Sequence, residues 1–167
     1  MGNPDDVLES PIKLSVQAAP VVDSETEQVI ATARAQKGKP YRLGAEGPDR
    51  YDCSGLVYYC FQQNGLAALI GGGRHRANWY WNWFNTQGLT IGNKFDAERG
   101  DLVCYGTPDK VTHIGIYLGN FRRKPQFRLI SALENPWGVS ITGVDALLDV
   151  DGSPLPVVGY CKVAYAS

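Results

Sequence analysis

The chain has 167 residues, a formal net charge of −1 and 20% charged residues, so nothing draws it electrostatically toward nucleic acid or an anionic membrane surface. Its four cysteines include no CxxC pair and no Cys/His cluster at zinc spacing, which argues against both a disulfide framework and a metal centre. No apolar run approaches the ~20 residues that a membrane span needs, and the length suits one domain with a proper core and a short appendage.

Residues 1–23 are polar and punctuated by Pro4, Pro11 and Pro20. They read as an arm or linker suited to attachment to a larger assembly, with the folded domain at 24–167. No basic stretch followed by an apolar one marks a signal peptide, and Asp6 stands where a myristoylation signal wants Ser or Thr. Ser24 followed by Glu27 is a capping-box pattern; it predicts a helix through Val29, Ile30 and Ala33 that ends before Gly38-Lys39-Pro40. A Gly- and Pro-rich loop, 38–51, carries Tyr41 and delivers the chain to the next helix.

That helix organises the rest. Counting from Cys53, apolar residues recur at Leu56, Val57, Cys60 and Phe61, the spacing of a helix with one buried face. Asp52 is a suitable N-cap, and Asn64-Gly65 a stop signal. Further on, Trp79/Trp83 and Tyr80/Phe84 are i,i+4 pairs, which predicts another helix through the aromatic run.

From about residue 100 the pattern turns to strands. Asp101–Tyr105 is a short strand closed by a turn at Gly106-Thr107-Pro108-Asp109. Along Thr112–Gly119, Ile114, Ile116 and Leu118 share one face while His113, Gly115 and Tyr117 share the other. A basic loop at 120–125, read as a solvated one, leads to a strand at Phe127–Ala132. Later strands are expected at Val139–Ile141 and Val157–Ala164. Helices first and hairpin-linked strands after argue for an α+β fold with an antiparallel sheet.

Cys53, in the first turn of its helix, meets unpaired N–H groups and the positive end of the dipole, which favour thiolate over thiol. A cysteine nucleophile needs a base, and the chain has two histidines. His113 lies on a strand beside a glycine that leaves room for close approach, whereas His75 sits between two arginines after a Gly triplet. His113 is therefore preferred: its imidazole would take the thiol proton and return it to the leaving amine. Cys60, Cys104 and Cys161 read as small buried apolar residues.

These residues carry a family resemblance. Gly38-Lys39-Pro40-Tyr41-Arg42-Leu43-Gly44 and Tyr51-Asp52-Cys53-Ser54-Gly55-Leu56-Val57 resemble the nucleophile region of the NlpC-type cell-wall peptidases. Gly100-Asp101-Leu102-Val103 and His113-Ile114-Gly115-Ile116-Tyr117-Leu118-Gly119-Asn120 resemble their histidine region, in the right order. The resemblance spans roughly residues 25–165. It implies a papain-like fold, with the Cys helix packed on an antiparallel sheet that presents the His, and no cofactor. It implies hydrolysis of amide bonds in bacterial peptidoglycan stem peptides, often between D-glutamate and a diamino acid. In these terms Cys53 is the nucleophile and His113 the base, and the Cys53 N–H helps hold the oxyanion. Tyr41 serves the oxyanion hole or the substrate, while Asp52 and Ser54 match positions that bind a free N-terminal ammonium. The N-cap role is the bland reading of Asp52, and one carboxylate can serve both.

Two positions depart from the family pattern. Ala45 replaces the second of two glycines. Ser131 stands where a polar residue, often His, orients the imidazole; a hydroxyl is a short, uncharged orienter, and Glu134 or Asn135 in the following loop are alternatives. Three readings follow: an active peptidoglycan endopeptidase, an amidase or acyltransferase on the same scaffold, or a wall-binding module with a decayed triad. A wall hydrolase lacking a visible leader points to a phage lysin, a tail-borne peptidase, a secretion-system effector or a trimmed chain.

Overall fold

A computed structural model describes residues 24–166; the expected arm, 1–23, lies outside the described residues. The first helix, α1 (Glu25–Ala35), starts where the capping pattern places it. Ser24 Oγ accepts the Glu27 N–H at 3.2 Å, but the Glu27 carboxylate does not reach back to complete the box. It pairs instead with Arg99, 2.9 Å away, tying α1 to the loop before the sheet. Val29, Ile30 and Ala33 are buried.

Helix α2 (Cys53–Gln63) begins at Cys53 itself, with Asp52 as N-cap: its Oδ1 accepts the Gly55 N–H at 2.7 Å. Leu56, Val57, Cys60 and Phe61 are fully buried, as the spacing requires. Gly65, at φ 70°, follows the helix end, a left-handed conformation in which glycine carries no Cβ penalty. A short 3-10 turn at Ala67–Ile70 leads to α3 (Ala77–Thr86), which buries Tyr80, Trp81 and Phe84. The Trp79 and Trp83 rings stack at 6.5 Å along its outer side.

The strands are β1 (Thr90–Ile91), β2 (Leu102–Thr107), β3 (Lys110–Asn120), β4 (Phe127–Leu133), β5 (Gly138–Gly143) and β6 (Val157–Cys161). They form one six-stranded sheet in the order β1-β6-β2-β3-β4-β5, with every pairing antiparallel. The fold class expected from the sequence is the observed one, α+β with helices preceding an antiparallel sheet. Two details differ. β1 escapes sequence reading because two residues show no alternation. β2 runs on to Thr107, with Gly106 inside the strand at φ 126°, where a Cβ would lie 2.5 Å from the Lys110 carbonyl oxygen.

The alternation read along β3 sets the layering. Ile114, Ile116 and Leu118 join the core beneath the helices, with Leu56, Phe61 and Phe84. Tyr117 lies on the opposite face, in a second core with Val103, Tyr105, Leu129 and Tyr160. After β6 the chain returns to α1: Tyr165 Oη donates to the Gly100 carbonyl at 2.6 Å, and the Ala166 N–H donates to Glu25 Oε1 at 2.8 Å.

The entry to α2 has no spare room. The Asp52 N–H donates to the Ala45 carbonyl at 2.8 Å, and a Cβ on Gly55 would stand 2.0 Å from that same oxygen. Backbone must shift to admit it, which typically costs ~1–3 kcal/mol. Gly55→Ala is therefore expected to lower unfolding stability by about 2 kcal/mol in a urea titration, despite the better helix propensity of alanine.

Candidate active site

Cys53 opens onto a cleft of about 910 Å³, whose walls come from the loop after α1, the start of α2, residues 74–82 and the first residues of β3. Of the residues singled out from sequence, Tyr41, Asp52, Cys53 and Ser54 all line it. Cys53 Sγ rests on the backbone of β3, 3.9 Å from the Thr112 carbonyl oxygen. The strand is irregular at that point: Tyr105 pairs with His113 and Gly106 with Val111, leaving Thr112 as an extra residue. Such a bulge bends the strand and re-aims side chains, and here it turns peptide groups toward the sulfur.

The thiol is not the thiolate that its helix position suggests. The Cys53 pKa is pushed up to about 11, by burial first and then by the neighbouring Asp52 carboxylate. The Ile114 and Ser54 N–H groups and the Arg74 guanidinium pull the other way and are outweighed. Desolvation has defeated the helix dipole. At rest the sulfur carries its proton.

His113 lies on the β3 face opposite Ile114, half-buried, with its ring 5.6 Å from that of Tyr105. Burial lowers its pKa to about 4, so the imidazole is neutral throughout the physiological range. The Nε2 atom is buried with no hydrogen-bond partner, and so is Ser131 Oγ on β4. Gly115 separates them: a Cβ there would sit 2.8 Å from Ser131 Cβ. The missing side chain leaves the gap across which His113 and Ser131 share one face. Glu134 and Asn135 are exposed in the turn between β4 and β5; the Glu134 charge is felt at Tyr41. The structure thus seats Sγ against the backbone on either side of His113, and no hydrogen bond joins the sulfur to the imidazole.

Tyr41 holds its proton firmly. Its pKa is pushed up to about 12, by burial first and then by the charges of Cys53 and Asp52, leaving a neutral phenol in the cleft wall. Asp52 does more than cap. Its Oδ2 accepts the Gly44 N–H at 2.7 Å, and its Oδ1 takes the Ser54 hydroxyl at 3.2 Å and Arg74 Nη2 at 2.8 Å. Arg74 Nη1 also donates to Ser54 Oγ at 2.6 Å and to the His75 carbonyl at 2.7 Å. The sequence reading gave Asp52 and Ser54 to an incoming cation; the structure supplies one from the chain itself.

Arg74, Arg76 and Lys110 were not singled out as site residues. An arginine between a glycine triplet and an aromatic run has no spacing rule to identify it, and contact with Asp52 22 residues earlier is a tertiary fact. His75, passed over as a base, also lines the cleft, with its ring stacked on Trp79 at 3.5 Å and 12°.

A helix-start cysteine set against an antiparallel sheet with a histidine on its strand is the papain-like arrangement. The pattern of the NlpC/P60 family matches residues 38–123, and the chain belongs to that family, which includes peptidoglycan hydrolases. It is 34% identical over 116 residues to a probable endopeptidase p60 of Listeria grayi, covering 70% of this chain and 19% of that protein. The solved structure of NlpC1 from Trichomonas vaginalis superposes with a TM-score of 0.65 at 26% identity, over 88% of this chain and 46% of that one. RipD from Mycobacterium tuberculosis, described as a non-catalytic NlpC/p60 domain protein adapted to peptidoglycan binding, shares the fold. Its TM-score is 0.57 at 20% identity, over 85% of this chain and 99% of that one. The chain thus spans about a fifth of the Listeria relative's length.

Two pH responses follow. Alkylation of Cys53 by iodoacetamide should be slow at pH 7 and climb steeply toward pH 11, the midpoint set by burial and Asp52; Arg74→Gln should move that midpoint higher. His113 protonates near pH 6.5 in the unfolded chain and near pH 4 in the folded one. Acid therefore drains stability as pH falls from about 6.5 to about 4. Urea titrations across that range should show a shallower pH dependence for His113→Gln than for the wild type.

Proposed function

We propose that the protein is a cysteine endopeptidase that cleaves peptidoglycan stem peptides, at the bond between D-glutamate and the diamino acid. The observation that supports this most is the seat of Cys53, at the first turn of a buried helix and open to a cleft, in a chain of the NlpC/P60 family.

In this reading the resting site is a neutral pair, a protonated thiol and an unprotonated imidazole. His113 takes the thiol proton as Sγ attacks the amide carbonyl, and returns it to the departing amine. The proton moves with the attack, so no resting ion pair is required. In this reading the Cys53 N–H, which has no partner inside the helix, and the Tyr41 hydroxyl receive the oxyanion; both residues line the cleft. The imidazole lies on the face it shares with Ser131 and is not among the residues that line the cleft, so the transfer requires it to approach the sulfur when substrate binds. The unpartnered atoms of His113 and Ser131, Nε2 and Oγ, are a donor and an acceptor that need each other, which favours Ser131 over the exposed Glu134 and Asn135 as the orienting group. A serine in the orienting role would hold the ring without raising its basicity, and the low His113 pKa accords with that.

A second reading, wall binding without cleavage, draws on the high Cys53 pKa and the lack of a hydrogen bond between Sγ and His113. One digestion separates the readings. Purified peptidoglycan treated with wild type should release cut stem peptides by mass spectrometry, and Cys53→Ala and His113→Ala should release none. Ser131→Ala should lower the rate by about 10-fold, with KM little changed. Cleavage between sugar and lactyl-peptide would instead identify an amidase, and retained binding without cleavage would identify the binding module.

A further inference from the structure

The charge lining the cleft is out of keeping with a subsite for an ammonium group. Among the described residues three cations line it, Arg74, Arg76 and Lys110, against the single carboxylate of Asp52. That carboxylate is spent: both oxygens are occupied by backbone N–H groups, the Ser54 hydroxyl and Arg74, and the residue is 6% exposed. Ser54 Oγ is likewise engaged at both ends, donating to Asp52 and accepting from Arg74. An ammonium arriving there would have to expel a guanidinium held by three hydrogen bonds and leave it unpaired, an expensive exchange in a partly buried place.

Arg76 and Lys110 are the opposite case. Both are exposed, and neither has an ion-pair partner among the described residues. They come from different walls, Arg76 from the N-cap position of α3 and Lys110 from the first residue of β3. Arg76 makes no side-chain cap there, whereas Ser24 and Asp52 cap α1 and α2 with their own oxygens. The start of α3 therefore keeps free N–H groups and the positive end of its dipole, beside two unpaired cations. Among the described residues, Asp109 adjoins Lys110 in the chain without pairing with it, Glu134 is felt at Tyr41 and Glu46 at Tyr80. All three are exposed and outside the lining.

We propose that Arg76 and Lys110 form a subsite for a free carboxylate carried by the substrate peptide beside the scissile amide, and that Arg74 closes the Asp52–Ser54 position to a substrate ammonium. This rests on the peptidase reading and deepens it. The substrate is a stem peptide whose glutamate α-carboxyl is free rather than amidated, and whose N-terminus need not be. A guanidinium meets a carboxylate through paired N–H donors, a fork that an amide group cannot complete.

The test uses four synthetic stem tripeptides, built on L-Ala-γ-D-Glu-L-Lys or its α-amidated D-isoglutamine counterpart, each with a free or an acetylated N-terminus. With the full-length protein, kcat/KM should favour the carboxylate forms by roughly tenfold and should not fall on acetylation. Arg76→Gln and Lys110→Gln should each narrow the ratio, and the double variant should bring it close to one. In parallel, calorimetric binding to Cys53→Ala should show the same carboxylate preference without turnover. Equal rates and affinities for acid and amide overturn the subsite, as does a preference that survives the double variant. A tenfold advantage for the free-amine forms overturns the closure by Arg74. Carboxylate-selective binding with no cleavage of any peptide by wild type would uphold the subsite and overturn the peptidase reading.

Discussion

The Asp52 carboxylate is the knot of the molecule. Through Gly55 it starts α2, through Gly44 it holds the loop after α1, and through Arg74 it fixes the segment that leads into α3. Three stretches of chain that share no regular structure thereby converge on the residue before the cysteine. The pair is partly buried, so its worth lies less in net stability than in the geometry it enforces. Without the carboxylate, Arg74 would lose its anchor, the loop at Gly44 its tie, and the Gly55 N–H would be left unpaired in a buried place. The same charge also acts against ionisation of the thiol beside it, so the group that builds the site helps to keep it quiet.

That quietness distinguishes the centre from an exposed, ionised thiolate. Burial pushes cysteine and histidine in opposite directions, one up to about 11 and the other down to about 4. Each shift disfavours charge. Together they widen the interval in which both groups are neutral, and leave charge development to the moment when substrate fills the cleft. A buried, protonated sulfur is also a poor target for the oxidants that consume thiolates.

Much of this was legible in the chain because local rules coincide. The capping residues Ser24 and Asp52 and the four-residue spacing after Cys53 mark the helices. Alternation along β3 assigned His113 and Ile114 to opposite faces, and both went where it put them. What was not legible depended on neighbours. The ionisation state of Cys53 was misjudged because a helix start is visible in sequence and the depth at which it is buried is not. Arg74 escaped notice for the same reason: its partner is 22 residues away across a loop. The extra residue at Thr112 arises only from the register of β2 against β3, and that register belongs to two strands at once. Ser131 was placed by counting, and the open space beside it, left by Gly115, depends on how β3 pairs with β4.

The contact between Ala166 and Glu25 has a topological meaning. The last described stretch of backbone hydrogen-bonds to the first turn of α1, and Tyr165 stacks on Phe61 of α2 at 6.0 Å, so the fold begins and finishes at one spot on its surface. A domain with adjoining ends is a closed ring in everything but a covalent bond. It can hang from another polypeptide by a single point, as a bead rather than a link, and pulling on that polypeptide would transmit little strain to the sheet or to Cys53. It can equally be cut in the exposed turn at 149–154 and rejoined at its ends without disturbing the order of the strands.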